Sequence, residues 1–118
     1  MKLMLRVMKA LSDPNRVRIV KLLEKNALCV CEIQEVLKLA QPTVSSHMKI
    51  LEDAGLVEKE RQGIWMIYRQ ADGQASVYAH SMLTSLKDWL NEDPDLQGML
   101  ALLPETACQR AYHQRKNS

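Results

Sequence analysis

Phenylalanine is absent from the chain, and two tryptophans and three tyrosines are the only aromatic residues among 118. Binders of single strands and of RNA build stacking platforms from interleaved aromatic side chains, so that class of partner is not expected. Long apolar runs are missing as well: the longest are five residues, at 27–31, 64–68 and 99–103. A membrane span needs ~18 or more, so no membrane insertion is expected. Arg6 and Lys9 interrupt the apolar N-terminal stretch, which argues against a signal peptide and for a cytoplasmic protein. The four glycines read as turn residues, and no P-loop, dinucleotide loop, H-E-x-x-H or G-x-S-x-G pattern occurs. An enzyme is therefore not expected. Three cysteines, an odd number, do not make a disulfide framework.

Hydrophobic residues form 47% of the chain and charged residues 25%, enough to bury a core, and at about 100–200 residues per domain the length allows one domain. We place it at residues 1–103, followed by a polar tail at 104–118. The formal net charge of +2 hides an uneven distribution, because residues 1–26 hold seven basic and two acidic groups while residues 70–118 hold four basic and six acidic. Positive potential at the front of the chain favours an anionic partner there.

Met4, Val7, Met8 and Leu11 recur at helical spacing and predict a short first helix. Asp13-Pro14 is an N-cap followed by proline at the first helical position, opening a second, central helix to about Lys25. A third helix is expected over about Cys31 to Leu39. A fourth starts at Pro42 and stops at Ala54-Gly55. Leu56 to Arg61 and Ile64 to Arg69 read as strands joined by Gln62-Gly63. A longer helix over about Ser76 to Asn91 and a final short one over Leu96 to Leu103 complete the pattern. The expected fold class is mainly α (α+β), a winged helix-turn-helix with a two-stranded β-hairpin wing and flanking dimerisation helices.

On the fourth helix Val44, Met48 and Leu51 fall in one arc at 100° per residue and face the core. Ser46 lies opposite, flanked by Thr43, Ser45 and Lys49, with Gln41 at the helix start and His47 at the boundary. Short polar side chains of this kind donate and accept at base edges in a major groove. One such face alone is no more than a solvated surface. The preceding short helix, the following hairpin with Arg61 and Gln62, and basic groups at Arg16, Arg18, Lys59 and Arg69 make double-stranded DNA the expected partner.

The run ALCVCEIQEVLKLAQPTVSSHMKILEDAGLVEKERQGIWMIYR, with ALSDPNRVRIVKLL upstream, resembles the ArsR/SmtB family of metalloregulatory repressors over roughly residues 4–90. The resemblance implies a homodimeric winged-helix repressor on an imperfectly palindromic operator, released when an inducer binds. It also implies a dimer seam formed by the first helix and the Ser76 to Asn91 helix, where Leu3, Leu5 and Trp89 are spare apolar groups.

The family branch that senses As(III) or Sb(III) carries a CVC-acid-hydrophobic-Cys pattern at the third helix. Here CVCEI matches and Gln34 stands in the third cysteine's place, so the resemblance makes Cys29 and Cys31 the metal ligands and leaves Cys108 or an exogenous thiol or hydroxide as the third. Cys31 at a helix start has its thiolate favoured by the backbone amides. The two sulfurs reach one ion only if the chain there is extended or the helix start unwinds, since residues two apart in a helix diverge by about 200°. The plain alternative is that each cysteine is a small buried hydrophobe. No resident cofactor is required. His80 and Asp88, eight residues apart, make a poor ligand pair, and His113 lies in the tail. Two other functions fit the same scaffold: a thiol redox or persulfide-responsive repressor, and a protein-interaction winged helix that never touches DNA.

Overall fold

A computed structural model describes residues 1–105. In chain order it contains α1 (Lys2–Ala10), α2 (Pro14–Leu22), β1 (Leu28–Cys29), α3 (Val30–Leu37), α4 (Gln41–Asp53), β2 (Val57–Gln62), β3 (Trp65–Gln70), α5 (Val77–Leu86) and α6 (Pro94–Leu102), closed by a 3-10 turn at Leu103–Glu105. The Asp13-Pro14 signal acts as expected: the Asp13 carboxylate accepts from the N–H groups of Asn15 and Arg16. Burial opposes the charge on Asp13, but those two N–H groups outweigh it and hold the carboxyl below its ordinary range. Asp93-Pro94 opens α6 in the same way, two residues before the expected start.

Four expectations need correction. The second helix stops at Leu22 rather than near Lys25. The expected long helix ends at Leu86, because Leu90 adopts a left-handed φ of 65° and the chain turns before α6. The wing turn is Gly63-Ile64 rather than Gln62-Gly63, with Gln62 opposite Trp65. Gly63 has φ 63° and takes the first loop position, where a type II′ hairpin needs glycine. Lastly, the wing sheet has three strands rather than two, in the order β1-β3-β2, because Leu28–Cys29 pairs antiparallel with β3.

The core joins the helix-turn-helix to its flanks. Ile19, Val20 and Leu22 of α2 are fully buried, as are Val44, Met48 and Leu51 of α4. They meet Val7 and Ala10 of α1, Ile33 of α3, Leu56, and Ala79 of α5 in one cluster. Lys21 is also buried: its ammonium donates to the Leu86 carbonyl and to Asn91 Oδ1 (2.9 Å) and pairs with Glu24 at 2.6 Å. This ties α2 to the C-terminal end of α5, where carbonyl groups have no helical partner. Leu3, Leu5 and Trp89, the expected seam residues, are 53%, 44% and 51% exposed on the single chain. No helix among the described residues is long and apolar enough to cross a membrane.

Candidate thiol site and nucleic-acid interface

Cys29 has an extended backbone (φ −87°, ψ 165°) as the N-cap of α3, and Cys31 lies in the first helical turn. This meets the geometric condition set by the sequence. The sulfurs converge to 2.7 Å, so one centre reaches both without unwinding α3. Cys29 is a buried free thiol, while Cys31 is half-buried and disulfide-bonded. Cys108 lies outside the described residues. Among the described residues no three His, Cys, Asp or Glu side chains come together as a metal-binding group, and His80 is exposed on α5, away from the cysteines in the chain.

The expected thiolate character does not hold at Cys29. Burial pushes its thiol up to about 11, with the carboxylate of Glu32 adding to the shift, so it carries its proton at neutral pH. Glu32, 3% exposed, accepts the Cys29 N–H at 3.0 Å and so caps the helix. Both the capping role and the nearness of the charge follow from one spacing of three residues.

Around the cysteines lies a cleft of about 570 Å³ whose walls include Gln34, Gln41, Ile64, Trp65 and Met66. Gln34 lies on α3, Gln41 is the first residue of α4, and Ile64, Trp65 and Met66 belong to the wing. Sequence reasoning missed these wing residues. The five-residue apolar run 64–68 was their signal, but a turn set one residue early shifts every cross-strand partner by two positions.

The expected base-reading groups Gln41, Thr43, Ser45, Ser46 and Lys49 are all exposed on α4, and Arg61 and Gln62 are exposed on β2. His47 is half-buried, and its Nδ1 lies 3.2 Å from Arg16 Nη1. A guanidinium only donates, so Nδ1 accepts and the ring presents Nε2–H. Arg16 also donates to the carbonyls of Ala10 (2.7 Å) and Lys9 (3.2 Å), fastening the end of α1 to α4.

The basic groups expected to neutralise phosphates are mostly engaged inside the protomer. Lys59 pairs with Glu52 at 3.7 Å, and Arg18 bonds Asn15 and reaches Asp95 at 4.0 Å. Arg69 is held by Glu58 at 2.8 Å and by Glu60, which raises its already high pKa. Of the two arginines on the wing, Arg61 is the one without an ion pair among the described residues.

The profile of the family described as "Bacterial regulatory protein, arsR family" matches residues 13–59. An HTH-type transcriptional regulator of Methanocaldococcus jannaschii, MJ1325, is 45% identical over 67 residues, covering 56% of this chain and 75% of that one. The arsenic resistance transcriptional regulator ArsR1 of Pseudomonas putida is 35% identical over 92 residues, covering 74% and 71%. Among solved structures, the homodimeric winged helix-turn-helix DNA-binding domain Mb0332 of Mycobacterium bovis superposes with a TM-score of 0.62 at 26% identity, covering 79% of this chain and 82% of that one.

Proposed function

This chain belongs to the arsR family of bacterial regulatory proteins, and on that premise we propose that it is a homodimeric, cytoplasmic transcriptional repressor that leaves its operator when As(III) or Sb(III) joins Cys29 and Cys31. It is a regulator and not an enzyme. Its DNA partner is read by α4, through Gln41, Thr43, Ser45, Ser46, His47 and Lys49, with Arg61 and Gln62 on the wing. The exposed apolar groups of α1 and of the segment after α5 supply the dimer seam.

The observation that carries the inducer reading is the meeting of two sulfurs at 2.7 Å in a cleft walled by Gln41 and by Trp65 and Met66. Once a thiol reductant has opened the Cys31 disulfide by exchange, neutral arsenous acid reacts with the two thiols by forming two As–S bonds and releasing two waters, with no further change in oxidation state. A remaining hydroxide, an exogenous thiol or Cys108 takes the third position that Gln34 does not fill. Enlarging the cleft's occupant pushes on the first turn of α4 and on the wing together, so the two DNA-reading elements lose their mutual alignment. A coupling of about 1–3 kcal/mol corresponds to roughly 5- to 150-fold in operator affinity.

The experiment is a fluorescence-anisotropy titration of a duplex carrying a palindromic operator selected from random sequence by the protein itself. Arsenite, antimonite, cadmium and zinc are added in turn under strong reductant. Release by arsenite or antimonite that disappears in Cys29→Ser and Cys31→Ser supports the reading; unchanged affinity at saturating arsenite refutes it.

A second reading is favoured by the disulfide state of Cys31 beside the free Cys29 thiol. There the cysteines respond to oxidants or persulfides, and attack by Cys29 is slow because its thiol is rarely ionised. Release by oxidant alone, reversed by reductant and indifferent to arsenite, selects this alternative.

A further inference from the structure

We propose that the groove between α1 and α4 is a second phosphate-contacting surface, in which Lys2, Arg6 and Lys9 hold the duplex backbone beside the recognition helix. This rests on the DNA-binding reading above and extends it to residues outside the helix-turn-helix and wing. The groove has a volume of about 500 Å³ and is lined by Lys2, Arg6 and Lys9 of α1, with the expected seam residue Leu5 at its edge, by Arg16 of α2, and by Ile50 and Asp53 of α4.

Placement comes first. At 100° per residue, Ser46 and Asp53 point within about 20° of each other, directly away from the core arc of α4. Ile50 and His47 follow on one side of that strip, and this is the side that α1 flanks, since Arg16 bonds His47 and the last carbonyls of α1. The groove therefore continues the base-reading face sideways. A duplex whose major groove receives Ser46 brings a phosphate strand over α1.

Charge comes second. Among the described residues Lys2, Arg6 and Lys9 are exposed and have no ion pair, whereas Lys59 and Arg69 are neutralised within the protomer. Asp53, the one acid in the groove, is paired with Lys49 at 3.2 Å. Free positive charge on the reading side thus resides in α1 more than in the wing. Lys2, Arg6 and Lys9 are spaced i, i+4, i+7 on one helix face and span about 10 Å of axis at 1.5 Å per residue.

The test is a salt titration, from about 50 to 200 mM, of binding to a random-sequence duplex, because phosphate contacts carry no sequence information. The variant Lys2→Gln/Arg6→Gln/Lys9→Gln is expected to lower the slope of log K against log salt by about 2–3 per protomer, and to bind at least ~10-fold more weakly at 0.1 M salt. Lys2→Arg/Lys9→Arg keeps wild-type behaviour. If the triple variant melts early, single Lys2→Gln and Lys9→Gln variants with normal melting are each expected to lower the slope by about one. An unchanged slope in a folded variant overturns the proposal. So does a shift from dimer to monomer in sedimentation, which would assign the groove to the partner copy. A wild-type protein that binds no duplex refutes the DNA reading itself; a wild type that binds, with an Arg61-dependent slope but no α1 dependence, refutes only this surface.

Discussion

Cys29 stands directly opposite Ile67 in the register of β1 with β3. The first residue of the thiol pair is thus a strand residue of the wing's own sheet, while Cys31, two positions on, is already helical. A centre that draws the two sulfurs into a new geometry must move a strand against a helix. Both lead into the elements proposed to read DNA, and this is the physical content of the proposed switch.

The proton count separates candidate inducers. Because burial holds the Cys29 thiol at about 11, arsenous acid meets a protonated sulfur and leaves as water what it takes from the thiol. A divalent cation must displace that proton instead. Arsenite affinity is expected to stay nearly flat between about pH 6 and 8, while zinc or cadmium affinity rises roughly tenfold per pH unit for each proton displaced. Calorimetry in two buffers of different ionisation enthalpy counts the protons, and net proton uptake on arsenite binding would contradict a neutral Cys29.

Glu32→Gln keeps an acceptor for the Cys29 N–H and removes the negative charge beside the sulfur. The folded-state value of Cys29 is expected to fall from about 11, with faster alkylation at any pH below it. The rate of iodoacetamide labelling against pH under reductant reads the shift; an unmoved profile would leave burial as its whole cause.

On the DNA side the variants divide by what they touch. Ser46→Ala or Gln41→Ala is expected to relax sequence choice, at about 1–3 kcal/mol for a lost base contact. Arg61→Ala is expected to weaken all sequences alike and to flatten the salt slope by about one. If Arg61→Ala changes neither quantity, the wing does not lie on the backbone.

Lys21→Met removes one partner of a buried charge and leaves Glu24, Asn91 and the Leu86 carbonyl without their donor. The expected loss is about 3 kcal/mol, read as a lower urea midpoint at constant slope. A neutral result would mean that the end of α5 relaxes to water at little cost.

Two glycines with similar φ should respond unequally. Gly55 has φ +77°, and a Cβ there would lie 2.4 Å from the Ala75 Cβ, whereas Gly63 (φ +63°) faces open space. Gly55→Ala is expected to cost more than about 2 kcal/mol, combining strain with a clash. Gly63→Ala should cost only about 1–2 kcal/mol, backbone strain without a clash. Thermal melts of the two variants decide it.

The helix order, both halves of the helix-turn-helix and the α4 core face were legible because proline, glycine and the 3.6-residue period mark them in the chain. The strand β1 was not, since a two-residue strand has no period and exists only through pairing with β3. The turn at Gly63-Ile64 was misplaced by one residue because Gln62-Gly63 and Gly63-Ile64 both satisfy a two-residue loop, and only pairing selects between them. With the register known, Arg69 falls opposite Glu58, so its neutralisation follows directly; without it the wing looked more basic than it is. The CVC pair was legible as spacing. Its protonation was not, because burial of Cys29 depends on tertiary packing.

Lys21 spans from the last turn of α2 to the place where α5 stops, and its donors are used up by Leu86, Asn91 and Glu24. Position 21 therefore works as a ruler for the length of α5. A descendant sequence that lengthens α5 by a turn hides the Leu86 carbonyl inside the helix and strands this cation, so residue 21 and the segment 86–91 are bound to drift together over evolutionary time. A mismatch between the two in a hybrid protein would show as instability far from either graft point.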